Sequence, residues 1–281
     1  MPRFMRWLSA VFVVAPVLAA CGMAGSEENL AVVANAPGTF AVGETQRLMV
    51  GLVDSKTAEF LASPDLPATA ILTGPDESEI EATAEFMWTV PDVVGLYLVR
   101  SSFDQEGNWW VRLRPEGMGP TQQAAFTVSA TDAVPGVGDL APAVKTSTLA
   151  DHSLEEISSD DEPDPALYEL SLDVALGNGR PTVVVFATPA FCVSQTCGPM
   201  LDQVKAAAAT HPSANFLHVE IYENLDATSS DDLIIVPAVM AWGLPSEPWV
   251  FVIDADGVVM ARFEGAMKAS ELESALEAVG A

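Results

Sequence analysis

The 281 residues carry 39 acidic against 12 basic side chains, a formal net charge of −27, with 49% hydrophobic residues. So acidic a chain is repelled by nucleic acid and by anionic lipid surfaces, which excludes both as ligands, and the acidity itself reads as solubility rather than as a binding face. The length allows one large or two small domains with ordinary cores, and with 3 cysteines the fold does not depend on disulfide staples.

Arg3 and Arg6 precede the apolar run Trp7 to Ala20, the basic and apolar regions of a secretory signal too short to span a membrane. The run ends Leu18-Ala19-Ala20-Cys21, which resembles the bacterial lipobox, where cleavage leaves a lipidated cysteine. That resemblance implies a signal peptide over residues 1–20, a lipidated tether over 21–36, and a protein held by Cys21 on the extracytoplasmic face of a cell membrane. Outside the cytosol disulfides persist. With Cys21 set aside, Cys192 and Cys197 either pair with each other or stay reduced.

From Gly38 to Ala130 the texture is β. Apolar stretches at 47–53, 68–72, 82–88, 95–100, 109–113 and 125–128 recur between Gly, Pro and Asp turns, a spacing that predicts an all-β sandwich over residues 37–130. The run Gly95-Leu96-Tyr97, Phe103 and Gly107-Asn108-Trp109-Trp110-Val111 resembles the immunoglobulin-like modules of exported bacterial proteins, including the YtkA-like type. Some relatives of that module bind copper through His and Met. Here no His lies between residues 22 and 151, so Met49, Met87 and Met118 read as packing or surface residues.

Residues 131–166 read as a linker and lead-in, rich in proline. Their acidic run Ser158-Ser159-Asp160-Asp161-Glu162 lacks the glycine and spacing of a calcium loop and reads as solvated. Val183 to Phe186 is an unbroken β-branched and aromatic run, suited to a strand covered on both faces in a mostly parallel sheet. Thr188-Pro189-Ala190 breaks it, Cys192 follows, and Met200 to Ala209 has helical composition, so Cys192 sits near a helix N-terminus where backbone N–H groups stabilise a thiolate. Asn215 to Ile221 reads as a further strand. Asp256-Gly257 reads as a two-residue hairpin turn, and Ala269 to Val279 as a closing amphipathic helix.

Strand, turn, cysteine and helix, with Pro199 early in the helix and Trp242 to Asp254 downstream, resemble the thioredoxin-like superfamily. Gly138-Asp139-Leu140-Ala141-Pro142 likewise resembles the opening of its redoxin and TlpA-type members. The fold class implied is an α/β thioredoxin-like C-terminal domain over 167–281 preceded by the immunoglobulin-like sandwich. The resemblance also implies that Pro248 is the family's cis-proline, opposite Cys192, offering backbone groups to an extended peptide with Glu247 and Trp249 flanking it. Trp249 stands where the family commonly has a small Thr and would narrow the groove, and Phe191 stands in the place of the family's Trp.

The usual Cys-x-x-Cys is here Cys192-Val193-Ser194-Gln195-Thr196-Cys197. In a continuous helix these two cysteines would point about 140° apart, beyond the roughly 7 Å between Cα atoms that a disulfide allows. If they pair, 192–196 must be irregular and the helix must start near Cys197-Gly198-Pro199. The resemblance implies Cys192 as attacking thiolate and Cys197 as resolving thiol, acting on exported protein thiols or disulfides with a redox partner protein and no cofactor or metal. Two alternatives stay open: a structural clip, and a non-enzymatic binding or copper-chaperone module like the Sco family. The latter needs a downstream His, and none follows His218. A peroxidase would want Thr three residues before its cysteine, where this chain has Pro189. His152, His211 and His218 receive no catalytic role.

Overall fold

The computed structural model describes residues 30–35, 40–43, 45–90 and 92–281. The expected signal peptide, Cys21 and the start of the expected tether lie outside the described residues. The N-terminal half is built from β1 (Leu30–Asn35), β2 (Phe40–Ala41), β3 (Thr45–Asp54), β4 (Ala68–Thr73), β5 (Glu79–Val90), β6 (Val94–Ser102), β7 (Gly107–Pro115) and β8 (Ala124–Ser129). These strands bond in the order β1-β3-β6-β5-β4-β7-β8-β2 and fold over one core as an all-β sandwich. Strand alternation decides which side chains enter it. Leu48, Val50 and Leu52 of β3 join Tyr97 and Val99 of β6 inside, while Met49, Met87 and Leu98 form a separate patch on the outer face. At the centre Phe103 lies edge-on to Trp109, with ring centroids 4.9 Å apart, and to Phe126 at 5.4 Å.

The reading of 21–36 as a tether fails at Leu30–Asn35. This segment is β1, paired antiparallel with β3 from Leu30↔Asp54 to Asn35↔Met49. Its small apolar residues carry little signal alone and become a strand because β3 offers an edge.

The C-terminal half holds β9 (Thr182–Ala187), β10 (Asn215–Glu220), β11 (Trp249–Ile253) and β12 (Val259–Glu264) in the order β10-β9-β11-β12. β9 and β10 are parallel, whereas β11 runs antiparallel to both β9 and β12, so the expected mostly parallel sheet is a mixed one. The helices are α1 (Leu154–Ile157), α2 (Leu172–Leu176), α3 (Cys197–Ala208), α4 (Pro237–Ala241) and α5 (Ala269–Ala278). On one face, Val183 and Val185 pack with Met200, Leu201 and Val204 of α3 and with Leu272 and Leu276 of α5. On the other, Val184 and Phe186 pack with Leu172 of α2, Val239 of α4 and Trp242. Every residue of β9 is buried, which at about 1.5–3 kcal/mol for each large apolar side chain makes it the anchor of the domain.

Three further expectations change. The β11–β12 connection is longer than two residues: Asp254 N–H donates to Val258 O at 2.9 Å, and the Asp254 carboxylate accepts from the N–H groups of Asp256 and Val258. The lead-in is not a free linker, since Gly138 N–H donates to Val259 O, Leu140 bridges Val258, and Val134 enters the core beside Trp242. The acidic run is solvated only at Asp161 and Glu162, which are exposed, and its first three residues are packed. Asp160 pairs with Lys205 at 2.8 Å, and Ser159 bonds Glu220.

The two halves touch. The outer-face patch of Met49, Met87 and Leu98 closes over Ala266, and the Arg262 guanidinium reaches Val134 O at 3.1 Å and Gln46 Oε1 at 3.3 Å, with Asp132 Oδ2 2.7 Å away as an ion pair. No described helix is long and apolar enough to cross a membrane.

Candidate active site

β9 delivers the chain to the site and Pro189 turns it out of the sheet. Phe191 then packs edge-on against Tyr222, with centroids 5.9 Å apart, and Cys192 follows. Residues 192–196 form an irregular turn with Gln195 at φ +60°, and α3 begins at Cys197. That break is what allows bonding. The Cα atoms of Cys192 and Cys197 are 6.1 Å apart and their sulfurs are joined at 2.31 Å. Pro199 sits in the first turn of α3, where its missing N–H has no intrahelical partner to lose.

The two sulfurs have different surroundings. Cys197 is wholly buried against Met200, Val185 and Ala187, whereas Cys192 is partly exposed and is followed by Val193, which is 92% exposed. The Cys197 N–H, at the head of α3, donates to Cys192 Sγ at 3.3 Å, and Ser194 Oγ lies 3.2 Å from the same sulfur. Both contacts favour negative charge on Cys192 when the disulfide opens.

The Glu247–Pro248 peptide is cis. Trp249 pairs with Phe186, so Pro248 stands beside the end of β9, at the same end of the sheet as the Cys192 turn. The Pro248 carbonyl accepts from Gly265 N–H at 2.8 Å. Glu247 is half-buried, and burial followed by the nearby Glu220 raises its carboxyl above the ordinary range. Burial, Glu247 and Glu220 raise the Tyr222 phenol in the same way. Tyr222, Glu247 and Phe191 therefore gather around the turn. Trp249 does not join them. Its indole is 2% exposed, stacked on Phe251 and donating to Ser246 Oγ at 3.2 Å, so it fills the core and does not narrow a groove.

Beneath the turn lies a buried polar network. His218 Nε2 meets Ala187 O at 3.0 Å, and because a carbonyl only accepts, that nitrogen carries the proton. Nδ1 then accepts from the Tyr168 hydroxyl at 2.5 Å, and Tyr168 in turn lies 2.8 Å from Ser158 Oγ. Burial depresses the imidazole's pKa and keeps it neutral, while burial raises the Tyr168 phenol. Glu220 accepts from Ser159 N–H and Oγ–H at 2.9 and 2.6 Å, and Ala190 N–H donates to Ser159 Oγ at 3.3 Å. The turn is thus held from below by Ser158 and Ser159, which the sequence predicts to be solvated, by His218, which it gives no catalytic role, and by Tyr168 and Glu220. Alternation of His218 and Glu220 along β10 was the network's one local signal.

Residues 168–280 match the thioredoxin-like domain family. The C-terminal part of this protein is a thioredoxin-like domain. Among solved structures, its fold is similar to MTB dsbF in mixed oxidised and reduced forms, at 20% identity over 39% of this chain and 87% of that one, TM-score 0.30. It is also similar to a thiol:disulfide interchange protein of the thioredoxin family from Chlorobium tepidum TLS, at 16% identity over 52% and 99%, TM-score 0.33. The N-terminal sandwich is similar to the Lin-41 filamin domain, at 18% identity over 37% and 96%, TM-score 0.25. No curated protein matches the chain in sequence. A thioredoxin-like domain with a bonded Cys192–Cys197 pair at this position supports thiol–disulfide oxidoreduction as its general chemistry. Among the described residues no group of His, Cys, Asp and Glu is arranged to hold a metal ion.

Proposed function

We propose that this protein is a membrane-anchored, extracytoplasmic thiol–disulfide oxidoreductase that acts on exported protein thiols through Cys192 and Cys197. The observation carrying this reading is the inequality of the two sulfurs: one partly exposed and bonded to a helix-terminal N–H, the other buried behind it. A client thiolate attacks Cys192 Sγ, the Cys192–Cys197 bond breaks, and Cys197 leaves with the electron pair and takes a proton. A second client thiolate attacks the client sulfur of the mixed disulfide and releases Cys192 as a thiolate. The client leaves oxidised by two electrons and the pair is reduced; the reverse sequence reduces a client disulfide. The Cys197 N–H stabilises the Cys192 thiolate in either direction.

Pro248 and Glu247 flank the approach to Cys192 in this reading, and the lipobox-like Leu18 to Cys21 supports the membrane placement. The test is insulin-disulfide reduction by the mature chain with dithiothreitol as electron donor. Cys192→Ser is expected to abolish turnover, and equal turnover by wild type and variant refutes the assignment.

A further inference from the structure

Two arginines of the sandwich, Arg47 and Arg100, reach Glu271 of α5, and Arg47 also touches the turn that precedes that helix. Arg47 of β3 extends from the outer face, its Nη2 donating to Glu271 Oε2 at 2.9 Å and its Nε to Glu271 Oε1 at 3.3 Å. The same Nη2 donates to Ala266 O at 3.2 Å. Arg100, directly opposite Arg47 on β6, donates to Glu271 as well, and the Lys268 N–H donates to Glu271 Oε2 at 3.0 Å. Met49, Met87 and Leu98 pack on Ala266, and Glu85 pairs with Lys268. The turn from Glu264 to Lys268 and the first turn of α5 are therefore fastened to the other domain together, the turn by a carbonyl contact and an apolar lid and α5 by a forked ion pair at Glu271. That turn also holds the cis-proline segment, because Gly265, one residue before Ala266, donates its N–H to Pro248 O at 2.8 Å. Ser246, two residues before Pro248, donates to Glu264 Oε1 at 2.8 Å.

We propose that Arg47 is a positioning residue for exchange with peptide clients: the sandwich sets the Gly265–Ala266 turn, and the turn sets the Glu247–Pro248 segment at the Cys192 end of the sheet. The proposal rests on the exchange reading above. It assigns the sandwich a part in the chemistry beyond that of a spacer, since the Glu247–Pro248 segment is held in place only when both domains are docked. A forked guanidinium suits this work because its rigid planar donors hold both carboxylate oxygens and the carbonyl at once, whereas an ammonium is a compact charge without that fixed geometry.

The test uses the full mature chain with Arg47→Met, which keeps the apolar stem and removes the fork, and with Arg47→Lys. Glu271→Gln attacks the same contact from the other domain, so a folding failure in one variant leaves the question decidable. Three quantities are read: the rate of exchange with a cysteine-containing peptide, the rate of reduction by dithiothreitol, and the reduction potential of the pair. Dithiothreitol has no backbone to lie along the Glu247–Pro248 segment. The expected result is a tenfold or greater rise in peptide KM in Arg47→Met and Glu271→Gln, partial rescue in Arg47→Lys, and wild-type dithiothreitol rate and potential throughout. Peptide kinetics unchanged in the variants overturn the proposal, as does a fall shared equally by peptide and dithiothreitol, which marks general loosening. A wild-type protein that exchanges with no peptide overturns the exchange reading itself and this inference with it.

Discussion

Glu264 offers the sharpest test of the electrostatics between the domains. It is largely buried, and burial pushes its carboxyl up to about 7 from the ordinary 4.5. The Ser246 hydrogen bond and then Arg262 and Arg47 pull the other way, and Asp132 adds to the rise. A carboxyl with a raised folded pKa binds its proton more tightly in the native state, so its ionisation costs stability as pH climbs from about 4.5 to about 7 and leaves the full penalty in place above that. The interval corresponds to about 3 kcal/mol. Glu264→Gln removes the ionisation and keeps an oxygen to accept from Ser246. Its amide N–H groups, set among arginines, cost about 1 kcal/mol at any pH. The variant should therefore be about 1 kcal/mol less stable than wild type at pH 4 and about 2 kcal/mol more stable at pH 8, read by urea unfolding of the full chain with tryptophan fluorescence. Comparing the two proteins at each pH cancels the carboxylates they share. The same difference at both pH values would refute the reasoning.

The buried network should be costly to break. Tyr168→Phe strands His218 Nδ1 in the core without a donor and should lower stability by about 1–3 kcal/mol, seen as a shifted denaturation midpoint; an unmoved midpoint rules out the hydrogen bond. Thr188 is fully buried and its hydroxyl has no partner among the described residues, so Thr188→Val should be neutral or stabilising by up to about 1 kcal/mol, and a clear loss would mean that the hydroxyl is in use. Opening the disulfide releases a loop of sequence separation 5, which should destabilise the chain by about 2 kcal/mol, measured as the difference between oxidised and reduced unfolding curves. Coincident curves would contradict it.

What the sequence disclosed and what it hid follow from the range of the forces involved. β9 was legible because four consecutive apolar residues, Val183 to Phe186, state double-sided burial locally. The start of α3 was legible because only a break between Cys192 and Cys197 lets their sulfurs meet, and Pro199 marks a first turn. β1 was hidden because Leu30–Asn35 is a strand only by virtue of β3. Trp249 was misplaced because its role was taken from the Thr that the family commonly has there, whereas here both faces of β11 are buried and Trp249 packs with Phe186 and Phe251. The acidic run misled because its partners are remote in sequence: Lys205 lies 45 residues from Asp160, and Glu220 lies 61 from Ser159.

The burial of Cys197 gives the chemistry a handle. A covalent adduct on the outer sulfur has its internal exit in the sulfur behind it. With Cys197→Ser that exit is closed, and whatever protein forms the adduct stays tethered to Cys192, so clients can be recovered by non-reducing purification and freed by reductant.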